Sequence, residues 1–152
     1  MGRLALLFTA FGMISGGLII MTIGMTRVFV PEDLEYMRVT TAELQRLNPR
    51  LIPLIAHDRA GFGGGLCSGG IAVLFATWCG AKPGERALWW ALALAGSIGF
   101  ITAIGVHPLV GYMSFIHLLP AAIGAAAFLM GIRLLYRPMV CADPGKDRFP
   151  DV

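Results

Sequence analysis

Apolar residues come in long unbroken blocks, and the charges are confined between them. Leu4 to Met25 carries no charged side chain, Ala60 to Ala81 carries none, and Ala87 to Ile132 carries none apart from two histidines. A helix of about 20 apolar residues crosses a hydrocarbon core of roughly 30 Å. The first two blocks therefore supply one span each, and the third is long enough for two. No stretch alternates as a barrel strand does, and a backbone in lipid must satisfy its own hydrogen bonds. The pattern predicts an all-α integral membrane four-helix bundle. Its spans fall at about 4–25, 60–80, 87–106 and 112–136, within a single transmembrane domain over 1–137. A loop over 27–59 joins spans one and two, and a polar tail occupies 138–152.

The loop carries its own signals. Val30-Pro31-Glu32-Asp33 reads as a helix start, with proline at the first helical position and acids in the first turn. Thr40 and Glu43 have the spacing of a capping box. Leu44 and Leu47 follow on one face, and Asn48-Pro49 is a stop. Two short amphipathic helices are expected here. Leu51 to Ile55, broken by Pro53, is expected to dip into the interface before span two. Pro108 is expected to end span three at His107, and Pro120 to kink span four.

Glycine spacing suggests how the spans pack. Gly61, Gly65 and Gly69 lie four apart, widened by Gly64, Ser68 and Ala72. Gly99 continues a similar row in span three with Ala91, Ala95 and Ala103. Such small-residue rows let helices approach closely. A phosphate cradle would need a strand before it and Lys-Ser/Thr after it, and this sequence has neither.

Composition fits a membrane protein. Hydrophobic residues make up 57% of the 152, charged residues 14%, and mean hydropathy is +0.74; soluble domains carry about 25% charged residues. The net charge of +3 comes without a basic run, so no nucleic-acid surface is indicated. Arg3, Lys82, Arg86, Arg133, Arg137, Lys146 and Arg148 lie on the side of the termini; Arg27, Arg38, Arg46, Arg50 and Arg59 lie in the long loop. The bias favours cytoplasmic termini. Cys67, Cys79 and Cys141 form no CxxC pair and no disulfide framework. Trp78, Trp89 and Trp90 flank a polar turn, as an interfacial aromatic belt does.

Candidate chemistry gathers at the other boundary. His57, Asp58 and Arg59 precede span two, His107 closes span three, and Tyr112 and His117 open span four. Ionisable groups near a membrane core usually face a bundle interior or a wet cavity. Three readings compete for these six residues. They can cap helix ends and pair with the loop. They can bind a metal ion or haem through His57, His107 and His117. They can also form a pocket for a quinone or another lipid-like ligand. No nucleophile elbow surrounds Ser68 or Ser114, which argues against hydrolase chemistry.

The stretch from Ile55 to Gly64, with the His107 and His117 region, resembles small uncharacterised bacterial four-span membrane proteins. The resemblance implies a multi-pass protein of the bacterial inner membrane and no particular activity. The expected function is a small non-enzymatic membrane subunit or scaffold. Its outer polar pocket would serve a partner or lipid-like ligand, within a larger membrane complex or homo-oligomer. The alternative is a histidine-ligated redox protein linked to haem, metal or quinone.

Overall fold

The computed structural model describes residues 1–142. Its helices are α1 (Gly2–Thr26), α2 (Pro31–Met37), α3 (Thr41–Leu47), α4 (Leu51–Gly80), α5 (Arg86–Val110) and α6 (Phe115–Tyr136). A π-helical turn over Arg137–Cys141 continues α6. No strand occurs among the described residues. The four long helices are long and apolar enough to cross a membrane. The chain is thus an all-α protein with four membrane-crossing helices.

The element boundaries depart from the sequence pattern in four places. First, α4 begins at Leu51 and runs unbroken through Pro53. Pro53 falls in the first turn, where a missing N–H costs no intrahelical bond. Second, α5 passes through Pro108 and stops at Gly111, whose φ of 74° is left-handed. The Gly111 and Tyr112 amides both donate to the His107 carbonyl. Third, α6 starts at Phe115 rather than Tyr112, with the Ser114 side chain accepting from the His117 amide at 3.4 Å. Fourth, Pro138 to Cys141 is helical, and Met139 is only 1% exposed. Those residues belong to the fold and not to a tail. The rest of the expected tail, 143–152, lies outside the described residues.

The loop helices form as their caps dictate. The Val30 amide donates to Asp33 Oδ2 at 2.8 Å at the start of α2. In the capping box of α3, the Glu43 amide donates to Thr40 Oγ1 and the Thr40 amide donates to Glu43 Oε2 at 2.8 Å. The bonds from Thr40, backbone first, hold the Glu43 carboxyl below its ordinary range. Between α1 and α2 the chain turns at Val28, whose φ is 66°. A β-branched residue in that region is strained. The turn closes through a 2.8 Å bond from the Phe29 amide to the Arg27 carbonyl and delivers Phe29 into a buried position.

The chain divides into two compact units. One contains residues 13–70, and the other contains 1–12 with the chain from Ile71 onward. Helices α1 and α4 each contribute to both.

The second of these units draws on all four long helices and is itself a small bundle. Its core includes Leu6, Trp89, Leu92, Phe128, Leu135 and Met139. Close approach between α1 and α6 is permitted by Gly2 and Gly131, where an added Cβ would lie 2.9 Å from Leu135 Cγ and 2.8 Å from Leu6 Cγ. Polar ties cross between helices at the end of this packing where α1 and α5 begin and α4 and α6 finish. Arg3 donates to the Trp78 carbonyl at 2.7 Å, and Trp89 Nε1 donates to the Ile132 carbonyl at 3.0 Å. Phe8, Phe75, Ile98, Ile101 and Leu129 remain exposed, as suits side chains solvated by lipid tails.

In the 13–70 unit, α1 and α4 pack backbone against backbone. A Cβ on Gly17 would lie 2.5 Å from the Cys67 amide nitrogen, and one on Gly24 2.8 Å from the Ala60 nitrogen. A Cβ on Gly63 would collide with the Met21 amide, and one on Gly70 would lie 2.9 Å from the Ile14 nitrogen. The pairs 24 with 60, 21 with 63, 17 with 67 and 14 with 70 define one antiparallel register. On α4 the seam recurs at sevenfold steps, 63 to 70 and 60 to 67. The expected row does not lie on it. At Gly61, Gly65 and Gly99 an added Cβ would meet nothing within 4 Å, and at Gly69 only Met13 Cε at 3.5 Å. A four-residue step overshoots a full turn by about 40°, so a row spaced by fours drifts away from a straight contact line.

Gly63→Leu should sharply lower the yield of folded protein, while Gly65→Leu should leave it near wild type. Overpacking costs about 1–3 kcal/mol even where side chains can give way, and here the obstacle is backbone. Size-exclusion profiles and thermal melts in detergent would check both variants.

Candidate functional site

The six polar residues singled out by the sequence fall into two groups, one in each unit. In the 13–70 unit, His57, Asp58 and Arg59 sit two turns inside α4 and not at its mouth, because the helix begins at Leu51. His57 Nδ1 and Asp58 Oδ1 are 3.2 Å apart, and both side chains are open to solvent or headgroups, at 84% and 72% exposure. Such an exposed pair contributes little to stability.

Arg59 points elsewhere. Its Nη2 donates to Asp33 Oδ2 at 2.7 Å, and the Asp33 side chain is only 8% exposed. The same carboxylate oxygen accepts the Val30 amide. Asp33 therefore joins the start of α2 to α4 with a charge on each side of the contact. The sequence pattern marks Asp33 only as a helix-start acid. No local signal marks its part in that contact, because the burial of Asp33 and its pairing with Arg59 follow from the path of the loop.

In the other unit, the connection between α5 and α6 gathers three rings. The His107 and Tyr112 rings stack with centroids 5.9 Å apart and planes 17° from parallel. His117 lies 5.2 Å from His107 and 5.1 Å from Tyr112, tilted to both. The left-handed Gly111 makes this possible by turning the chain within one residue of the α5 end. Ser114 then fixes the first turn of α6, where His117 stands. Within this triad, His107 Nδ1 is buried and has no hydrogen-bond partner among the described residues. Leaving a buried polar nitrogen unpaired costs about 1–3 kcal/mol. Met113, Phe115, Leu118, Leu119 and Ala122, which surround His117 in sequence, line an apolar groove of about 250 Å³.

This chemistry suits hydrogen bonding better than metal binding. Neutral imidazole offers one donor and one acceptor, and a phenol offers both. Among the described residues, no group of three His, Cys, Asp or Glu side chains could hold a metal ion, including His57, His107 and His117.

Comparison with known proteins finds no matching family model, no matching curated protein and no matching solved structure.

Asp33→Ala would strand the largely covered Arg59 guanidinium. Breaking a buried pair costs about 3–5 kcal/mol; with Arg59 at 26% exposure, the loss should fall to about 1–3 kcal/mol. The double variant with Arg59→Met should recover part of it. A double-mutant cycle read by denaturant unfolding in detergent tests the coupling.

Proposed function

We propose that the chain is a small non-enzymatic subunit or scaffold of the bacterial inner membrane. In this reading the His107–Tyr112–His117 cluster holds a lipid-soluble ligand through a hydroxyl or carbonyl group. The unpaired, buried Nδ1 of His107 carries the proposal. A nitrogen in that state is stabilised by any ligand that completes its hydrogen bond. A partner helix or a second copy bearing a hydroxyl could use the same cluster. A quinone belongs to the ligand class proposed, and the histidine-ligated redox protein is the alternative reading.

Orientation belongs to the same proposal. Arg3, Lys82, Arg86, Arg133 and Arg137 all lie in the unit that holds the N-terminus of α1, and Glu85 is the lone acid among that unit's described residues. An excess of Lys and Arg near span ends favours the cytoplasmic side. The histidine cluster, at the other end of α5, would then face outward. The exposed free thiols of Cys79 and Cys141 report on this directly. In intact cells they should resist a membrane-impermeant thiol reagent, while a cysteine introduced by Thr41→Cys should react. Labelling of Cys141 would reverse the orientation.

Mass spectrometry of lipophilic molecules extracted from protein purified in mild detergent tests the ligand. Wild type should retain a compound that His107→Ala and His117→Ala lose, with melting of the variants' helices unchanged in the absence of added lipid. An identical extract from all three proteins would refute the ligand site. A Soret band in the purified protein would replace it with the haem reading.

A further inference from the structure

The far end of the same unit holds a second feature, independent of the histidine cluster. Arg133, in the last turn of α6, and Arg137, at the start of the π-helical turn that continues it, stand four residues apart, and both are exposed. Together with Trp89, Leu134 and Tyr136 they line a groove of about 480 Å³. That volume lies within the range of small-molecule sites. One wall, Trp89, is fixed by packing. Trp89 is buried, bonds to the Ile132 carbonyl and stacks edge-on to Tyr136 at 5.1 Å. Below it Met139 is buried, and the Gly84 amide donates to the Pro138 carbonyl at 3.0 Å.

The two guanidiniums are an unfavourable arrangement by themselves. Like charges at i and i+4 on a helix repel, and neither arginine has a hydrogen bond or ion pair to a described residue. The backbone here is also irregular. The π-helical turn begins at Arg137, and Pro138 has no N–H to offer the Leu134 carbonyl. Such π-turns are frequent at functional sites. The surroundings have the composition of the lipid-headgroup level. Trp89 and Trp90 meet edge to face within the first turn of α5, and Tyr136 closes α6. Trp and Tyr concentrate at that level of a membrane, and basic pockets between helices there suit anionic headgroups.

We infer that this groove binds the phosphate of an anionic phospholipid, held between Arg133 and Arg137, with the glycerol and upper acyl chains against Trp89, Leu134 and Tyr136. Arginine suits the role because its planar fork can donate two parallel bonds to phosphate oxygens. A bound phosphate relieves the repulsion between the two cations. The groove's apolar wall gives the lipid an advantage over the free ion.

The test uses the full chain in detergent micelles doped with phosphatidylglycerol, with phosphatidylcholine, or with inorganic phosphate alone. Phosphatidylglycerol should raise the thermal midpoint, and the doubly substituted Arg133→Gln, Arg137→Gln protein should need roughly tenfold more of it for the same shift. Native mass spectrometry of both proteins released from mixed-lipid nanodiscs gives a second readout that does not depend on melting. There the wild type should carry phosphatidylglycerol in preference to phosphatidylcholine, and each single Arg→Gln variant should carry less. Equal retention by wild type and single variants would overturn the site, as would equal responses to the two lipids. A full shift with inorganic phosphate alone would assign the groove to the free ion and overturn the lipid reading.

Discussion

Between Met13 and Gly70 everything depends on two backbones touching. In lipid there is no hydrophobic drive to pull one apolar helix against another, so association relies on close van der Waals contact and on polar ties. Gly17 and Gly63 supply that contact by leaving no Cβ between the main chains of α1 and α4. Gly24 and Gly70 extend it in the same register. Large apolar side chains cannot do this work, and many of them face outward instead. The abundance of glycine, 20 of 152 residues, is therefore a packing device in some places and merely exposed helix surface in others.

Polar groups do the remaining fastening. Asp33 holds the α2 start to α4 through Arg59, and that contact depends on the strained turn at Val28 that leads into α2. Arg3 and Trp89 secure helix ends in the other unit by donating to carbonyls of neighbouring helices. The histidine cluster differs from all of these. Its rings meet one another, yet one buried nitrogen is left without a described partner. Thr77 Oγ1 is likewise buried without a described partner, but only the nitrogen of His107 stands in a cluster of rings that can donate to and accept from a ligand.

Some of the site was legible in the sequence and some was not. His107, Tyr112 and His117 share a short connection between adjacent spans, so chain proximity alone predicts their meeting. His57 and Asp58 are neighbours in sequence and pair locally. Arg59 finding Asp33 required the path of the loop, which no periodicity encodes. The same limit applies to the glycines. A row at four-residue spacing is visible by eye, but which face of α4 meets α1 follows from the register between the two helices.

The sequence by itself determined the all-helical class, the number of apolar crossings and the two capped loop helices. These follow from block length, backbone satisfaction in lipid and side-chain-to-backbone bonds within three residues, all of which are local. Only the tertiary structure decided that α4 starts at Leu51, that α5 runs through Pro108, and that the turn over Pro138 to Cys141 sets Met139 into the core. A proline near a helix end removes a single donor, and neighbouring helices can outweigh that loss. The tertiary structure also decided which glycines touch and which arginine is paired. Those outcomes depend on distances between segments far apart in the chain, and local pattern carries no record of them.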